Sequence, residues 1–297
     1  MCGIAGIHLR DESLYPQLGS LLHEMVEGIV VRGPDSAGVA LYGDRERLPE
    51  NYSSVSMLSA PEDIVERVRA KLPDADVSGE EMAETSYIRA KVASKELVKV
   101  IREVAPEARQ IGTGDDMVVY KGVGHPMDLA EEFRLGETTG WQGVIHTRLA
   151  TESAVDAEGA HPYSVGTGLS LVHNGSFSNH STIRRELQDA GVEFNSQNDT
   201  EVAAQYISYR MEEKGEDLDT AIRALSETFD GFYTLLVTTQ DGFAVARDEF
   251  ACKPAIVAEH PNWVAMASEF QAMAHLPGIE DAEIFEPEPG KVYTWNR

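Results

Sequence analysis

Met1-Cys2-Gly3-Ile4-Ala5-Gly6 opens the chain and governs how the rest of it is read. Residue 2 is small, so the initiator methionine is removable. Cys2 then becomes the first residue of the mature chain and carries a free α-amine beside its thiol. Reference pKa values of roughly 7.7–8.0 for the amine and roughly 8.5 for the thiol lie close together, so the amine can take the thiol proton near neutral pH. The thiolate is the attacking species. A terminal cysteine therefore brings both nucleophile and general base. Gly3 and Gly6 let other backbone come close to it.

Working outward, residues 4–9 read as a short strand. Leu14, Leu18, Leu21, Leu22, Met25 and Ile29 recur at helical spacing. That helix stops near Arg32-Gly33-Pro34, where glycine and proline break it, and residues 37–42 read as a second strand. Residues 44–115 differ in character. They are charged, look helical over 61–72 and 95–104, and offer a strand over 85–92, which reads as an inserted small α/β segment without evident chemistry. Short strands resume at 117–120, 143–146 and 169–173. Helices are expected over 181–190, from 200 to about 212 with Asp199 as N-cap, and over 218–229. Strands follow at 232–239, 243–247, 255–258 and 263–267. Strands arriving in runs and helices in clusters indicate layered α+β packing rather than an alternating parallel sheet.

The chain has 297 residues, 42% of them hydrophobic, which is enough for a substantial core. Its two cysteines cannot form a disulfide framework, so a reducing, cytoplasmic setting is expected. No signal peptide or membrane-spanning run is read. The formal net charge of −25 repels nucleic acid and anionic lipid.

Further segments fall in an order that carries more weight than any one of them. Arg32-Gly33-Pro34-Asp35-Ser36-Ala37-Gly38 follows the first helix. His146-Thr147-Arg148-Leu149-Ala150-Thr151, His173-Asn174-Gly175 and Asn198-Asp199-Thr200-Glu201 come next. Arg247-Asp248, Lys253-Pro254 and Ala267-Ser268-Glu269 close the series. Together with the opening hexapeptide they resemble the class II, N-terminal nucleophile, glutamine amidotransferases, from Cys2 to about Gly278. The resemblance implies a four-layer αββα sandwich of two antiparallel sheets between helices, one domain over residues 2–297 with the insertion 44–115 inside it.

It also implies roles. Cys2 is the nucleophile, and the Asn174 amide with the Gly175 backbone N–H forms the oxyanion hole. Arg148 pairs with the α-carboxylate of glutamine, which suits a planar guanidinium. Asp199 receives the α-ammonium, Thr151 touches the carboxylate, and Arg32 shapes the surroundings of the nucleophile. His146, His161 and His173 read as structural rather than catalytic, no metal site is read, and Cys252 is expected to be buried. Relatives in this family often carry an aromatic residue where this chain has Leu149, which puts the closure over glutamine in question.

No ammonia-using domain is read in the chain, and no cofactor is expected on it. A separate synthase subunit docked over the site is therefore expected. The architecture is similar to the stand-alone glutaminase subunit of split glutamate synthases, and most of all N-methylglutamate synthase, whose partner chains carry FMN and an iron–sulfur cluster. Three alternatives stand beside this reading. The chain could serve another amidotransferase, either an ordinary glutamate synthase or an amidophosphoribosyltransferase-like one. It could be an amide hydrolase acting on another substrate, or a non-catalytic assembly subunit.

Overall fold

The computed structural model describes residues 2–149, 155–166 and 168–297. In chain order the elements begin with β1 (Gly3–Leu9), α1 (Leu18–Ile29), β2 (Ser36–Tyr42), β3 (Ser53–Leu58), α2 (Ile64–Lys71), β4 (Val77–Met82) and β5 (Thr85–Ala90). Next come α3 (Ser94–Val104), β6 (Arg109–Gly114), β7 (Met117–Val123), α4 (Pro126–Glu132), β8 (Gln142–Arg148), β9 (Tyr163–Val165), β10 (Leu169–Phe177) and α5 (His180–Asp189). The chain continues through α6 (Asp199–Lys214), α7 (Leu218–Thr228), β11 (Gly231–Thr238), β12 (Gly242–Arg247), β13 (Ile256–His260), β14 (Trp263–Ala267), β15 (Glu283–Phe285) and β16 (Val292–Asn296).

One sheet runs β15-β13-β14-β1-β8-β2-β7 and a second runs β16-β12-β11-β10-β9. Their ladders are antiparallel. The two-residue side-chain period of a strand decides what each face meets. On β1, Ala5, Ile7 and Leu9 pack with Leu18, Leu22 and Met25 of α1. Ile4 points the other way and joins Val172, Leu236 and Phe243 of the second sheet. On β11, Leu235 and Val237 pack under Val202, Ile207 and Ile222 of the helices α6 and α7, whereas Leu236 turns inward. The result is helix, sheet, sheet, helix, the α+β sandwich expected. Gly6 makes the sheets' close approach possible: a Cβ there would lie 2.7 Å from Leu236 Cδ2.

Residues 53–114 build a third sheet, ordered β4-β5-β3-β6, with α2 and α3 packed on it through Val55, Ile88, Val68 and Ile101. The sequence reading finds only β5 among its four strands. Val77-Ser78-Gly79-Glu80-Glu81-Met82 exposes its middle, so it lacks an apolar alternation. Outside this segment α4, β9, β15 and β16 are also missed; the first three are short. Two further expectations are corrected. The N-cap of α6 is Asn198, whose side chain accepts from Thr200 N at 2.8 Å, and Asp199 is the first helical residue. Cys252 is exposed rather than buried, because it lies in the turn after β12 and not in a strand.

Candidate active site

Cys2 is half-buried immediately before β1, with a free thiol whose Sγ lies 3.9 Å from the Leu149 carbonyl oxygen. Its position follows from the strand it precedes. β1 pairs with β8 and β14, matching Gly3 with Thr147 and Ala5 with Ala267. Ile4 N also donates to Ser268 Oγ at 3.0 Å, and Ser268 N returns a bond to Ile4 O at 2.9 Å. Gly3 is required by packing: a Cβ would stand 2.6 Å from Thr147 Oγ1 and 3.1 Å from the Ile29 carbonyl oxygen.

The Cys2 carbonyl accepts from Arg32 Nε at 3.1 Å and from Asn174 Nδ2 at 3.0 Å. Arg32 then pairs with Glu269 through Nη1. Two segments distant in sequence thus converge on one peptide group, and a third reaches it through Arg32. An Asn amide carries two N–H donors, so one remains after Cys2 is served. Gly175 follows Asn174 in β10 with φ +148°, and a Cβ there would lie 1.9 Å from the Phe232 carbonyl oxygen. Only glycine fits that position.

Arg148 ends β8 opposite Ser36 of β2. Its guanidinium lies against Gly159, where a Cβ would be 2.9 Å from Nη1. Asp199 is tied to the end of β10, because Oδ2 accepts from Phe177 N at 2.9 Å. Placing a carboxylate in the first turn of α6 also suits the helix dipole. Burial pushes the Tyr163 phenol up, with smaller influences from Ser196, Glu201, Arg148 and Asp199. Thr151, expected at the substrate carboxylate, lies outside the described residues.

The three histidines form a buried cluster behind these groups. The His146 ring stacks on His161 at 4.2 Å between centroids, and His173 stacks on Phe177 at 4.6 Å. Burial drives all three toward the neutral form. His146 falls to about 3, His173 to about 4, and His161 lies well below the ordinary imidazole value. Among the described residues no group of three or more His, Cys, Asp or Glu is arranged to hold a metal ion.

The sequence reading overlooks three residues. Glu269 and Thr200 stood inside quoted motifs without a role, and their motif membership was the available signal. Lys121 had no signal. It is buried, lowered to about 7 by desolvation, and its Nζ sits 4.4 Å from the centre of the Tyr163 ring.

A family model described as "Glutamine amidotransferase domain" matches residues 146–275. The glutamine amidotransferase-like protein GlxB of Rhizobium meliloti is 44% identical over 300 residues, covering 100% of this chain and 98% of that protein. An amidophosphoribosyltransferase of Methanothermobacter thermautotrophicus is 29% identical over 61% of this chain and 40% of its own length. Among solved structures, the glutamine phosphoribosylpyrophosphate amidotransferase of B. subtilis, complexed with ADP and GMP, superposes with a TM-score of 0.62 at 19% identity. That match covers 99% of this chain and 47% of that one, so this chain spans about half its length.

Proposed function

The chain belongs to the class II glutamine amidotransferases, enzymes of glutaminase type, and from that premise we propose that it hydrolyses glutamine to glutamate and ammonia through a γ-glutamyl thioester on Cys2. The observation that carries the reading is the 3.0 Å hydrogen bond from Asn174 Nδ2 to the Cys2 carbonyl, which brings the oxyanion donor beside the nucleophile. In this reading Met1 is removed and the α-amine of Cys2 takes the thiol proton. The thiolate attacks the glutamine side-chain carbonyl. The second Asn174 N–H and the Gly175 backbone N–H hold the oxyanion. The ammonium returns its proton to the leaving nitrogen, and ammonia departs. Water, activated by the same amine, then cleaves the thioester. Arg148 and Asp199 receive the α-carboxylate and α-ammonium, Thr151 assists at the carboxylate, and Arg32 fixes the Cys2 peptide.

A partner that consumes the ammonia docks over this end of the molecule. Support comes from apolar side chains exposed around the site. Val31 adjoins Arg32, and Phe270 adjoins Glu269. Val123 pairs with Ser36 beside Arg148, and Phe232 lies opposite Ser176 next to Gly175. Each of these exposed apolar residues neighbours a site residue along the chain or across a ladder, where a partner surface would cover it. The partner we favour is a synthase chain of the glutamate synthase type carrying FMN and an iron–sulfur cluster, with N-methylglutamate synthase as the nearest model. An amidophosphoribosyltransferase-type partner is the second reading, favoured by the similarity to such enzymes.

Two experiments test these statements. Cys2→Ala should abolish release of glutamate from glutamine while the melting curve stays close to the wild type; retained hydrolysis refutes the nucleophile. Purification of the native complex, with N-terminal mass spectrometry of this chain, should show Cys2 at the terminus and a flavin spectrum in the partner. A complex without flavin removes the glutamate synthase reading and leaves the hydrolysis standing.

A further inference from the structure

We propose that Thr200 is a positioning residue for the glutamine site, its one hydroxyl tying together the backbone segments that carry Asn174, Asp199 and the wall behind Arg148. The inference rests on reading the site as a glutaminase site. Thr200 is the second residue of α6 and is buried. Its Oγ1 lies 2.9 Å from His161 Nε2, 3.0 Å from His173 Nδ1 and 3.4 Å from Asp199 Oδ1.

The chemistry of the three neighbours fixes the direction of each bond. A hydroxyl has one proton to give and two lone pairs to receive. An ionised carboxylate can only accept, so the proton goes to Asp199. Both imidazoles then donate, His161 from Nε2 and His173 from Nδ1. Buried neutral rings meet that requirement, since each carries one N–H. The nitrogens left over, His161 Nδ1 and His173 Nε2, have no partner among the described residues. In this assignment they carry the lone pairs of the neutral rings.

Each of the three bonds leads to a group that recognises substrate. His173 is the residue before Asn174 in β10. Asp199 is the residue before Thr200, and its carboxylate is turned by the hydroxyl on one oxygen and by Phe177 N on the other. His161 stacks on His146, two residues before Arg148 in β8, and lies two residues after Gly159, which the Arg148 guanidinium touches. Removing the hydroxyl leaves two buried N–H groups and a carboxylate oxygen without their partner, and the three segments lose their common anchor.

The test uses Thr200→Val, which keeps the shape and removes the hydroxyl, and Thr200→Ser, which keeps the hydroxyl. Ser54→Ala is the control. Its hydroxyl is also buried and bonded to backbone carbonyls, but in the β4-β5-β3-β6 sheet, away from the site. Two reagents for Cys2 separate positioning from reactivity: iodoacetamide, which needs only the thiol, and the γ-diazoketone analogue of glutamine, which needs Arg148 and Asp199 as well. Thr200→Val should react with the analogue roughly tenfold or more slowly, keep its iodoacetamide rate within about twofold, and recover in Thr200→Ser. Ser54→Ala should melt earlier yet react with both reagents as the wild type does. If Thr200→Val does not fold, Thr200→Ala removes the same hydroxyl and serves in its place. An unchanged analogue rate in the valine or alanine variant, or an equal slowing in Ser54→Ala, overturns the proposal. Wild-type protein that reacts with iodoacetamide and ignores the analogue overturns the glutaminase reading itself, a separate and recognisable outcome.

Discussion

At Gly175 the backbone holds φ +148°, and the space where a side chain would begin is filled by the Phe232 carbonyl oxygen. Gly175→Ala must move β10 away from β11 beside Asn174, at the point where the proposed oxyanion donors sit. Strain at such a position costs about 1–3 kcal/mol, so the variant should melt earlier and lose most glutamine hydrolysis; a melting temperature equal to the wild type would contradict the geometry. Glu269 offers a milder probe. It touches Arg32, and Arg32 touches the Cys2 carbonyl, so Glu269→Gln should loosen the proposed nucleophile without disturbing substrate recognition. The pair is partly exposed and its contribution is correspondingly small. The expected effect is a fall in kcat of roughly two- to fivefold with KM for glutamine unchanged. Steady-state kinetics decide it, and a rise in KM alone would place Glu269 in substrate binding instead.

Among the elements, α6 does most to set the site. Its N-cap is Asn198, and this places Asp199 where Phe177 N can reach it. The sequence reading put Asp199 itself at the cap, because an aspartate carboxylate accepts well from a helix N-terminus. The choice was made by β10, which offers its amide to Asp199 across the packed layers. Glu201 then fastens the preceding loop by accepting from Asn195 N and Ser196 N, each at 2.7 Å. Asn198→Ala should cost about 0.5–2 kcal/mol in urea denaturation and raise KM for glutamine, since the first turn of α6 frays. Lost stability with an unchanged KM would show that Asp199 stays in place without the cap. The long apolar strands and helices were legible from periodicity. Edge strands such as β4 and β15 were not, because their exposed residues carry no pattern that distinguishes them from loops.

Across the whole molecule, buried histidines make stability depend on pH. Burial lowers His146 to about 3 and His173 to about 4, with His161 also well below its ordinary value. An unfolded chain protonates these rings below about pH 6.5, whereas the native state does not. The unfolded state therefore binds more protons as pH falls, and stability must drop. The stabilisation is complete above about pH 6.5 and is lost progressively toward pH 4 and 3. Denaturant midpoints measured across that window should fall, and a flat profile would mean that the rings are hydrated. The net charge of −25 gives a second handle. Self-repulsion opposes the compact state, and about 1 M salt shortens the screening length to about 3 Å, so added salt should raise the melting temperature. No helix among the described residues is long and apolar enough to cross a membrane.

Sequence by itself determined which functional groups are at hand: a cysteine at position 2, a guanidinium at 148, an Asn-Gly pair at 174 and a carboxylate at 199. Those residue types sit in short motifs whose local pattern is their own signal. It also determined the layered α+β class, since strand and helix periods are properties of a few consecutive residues. Tertiary structure alone decided which groups meet. Asn174 reaches a carbonyl 172 residues away, Glu269 finds Arg32 237 residues away, and one hydroxyl at Thr200 gathers two histidines and an aspartate. Such meetings depend on the register between strands and on which face each presents to the neighbouring layer, and a one-residue slip would undo them.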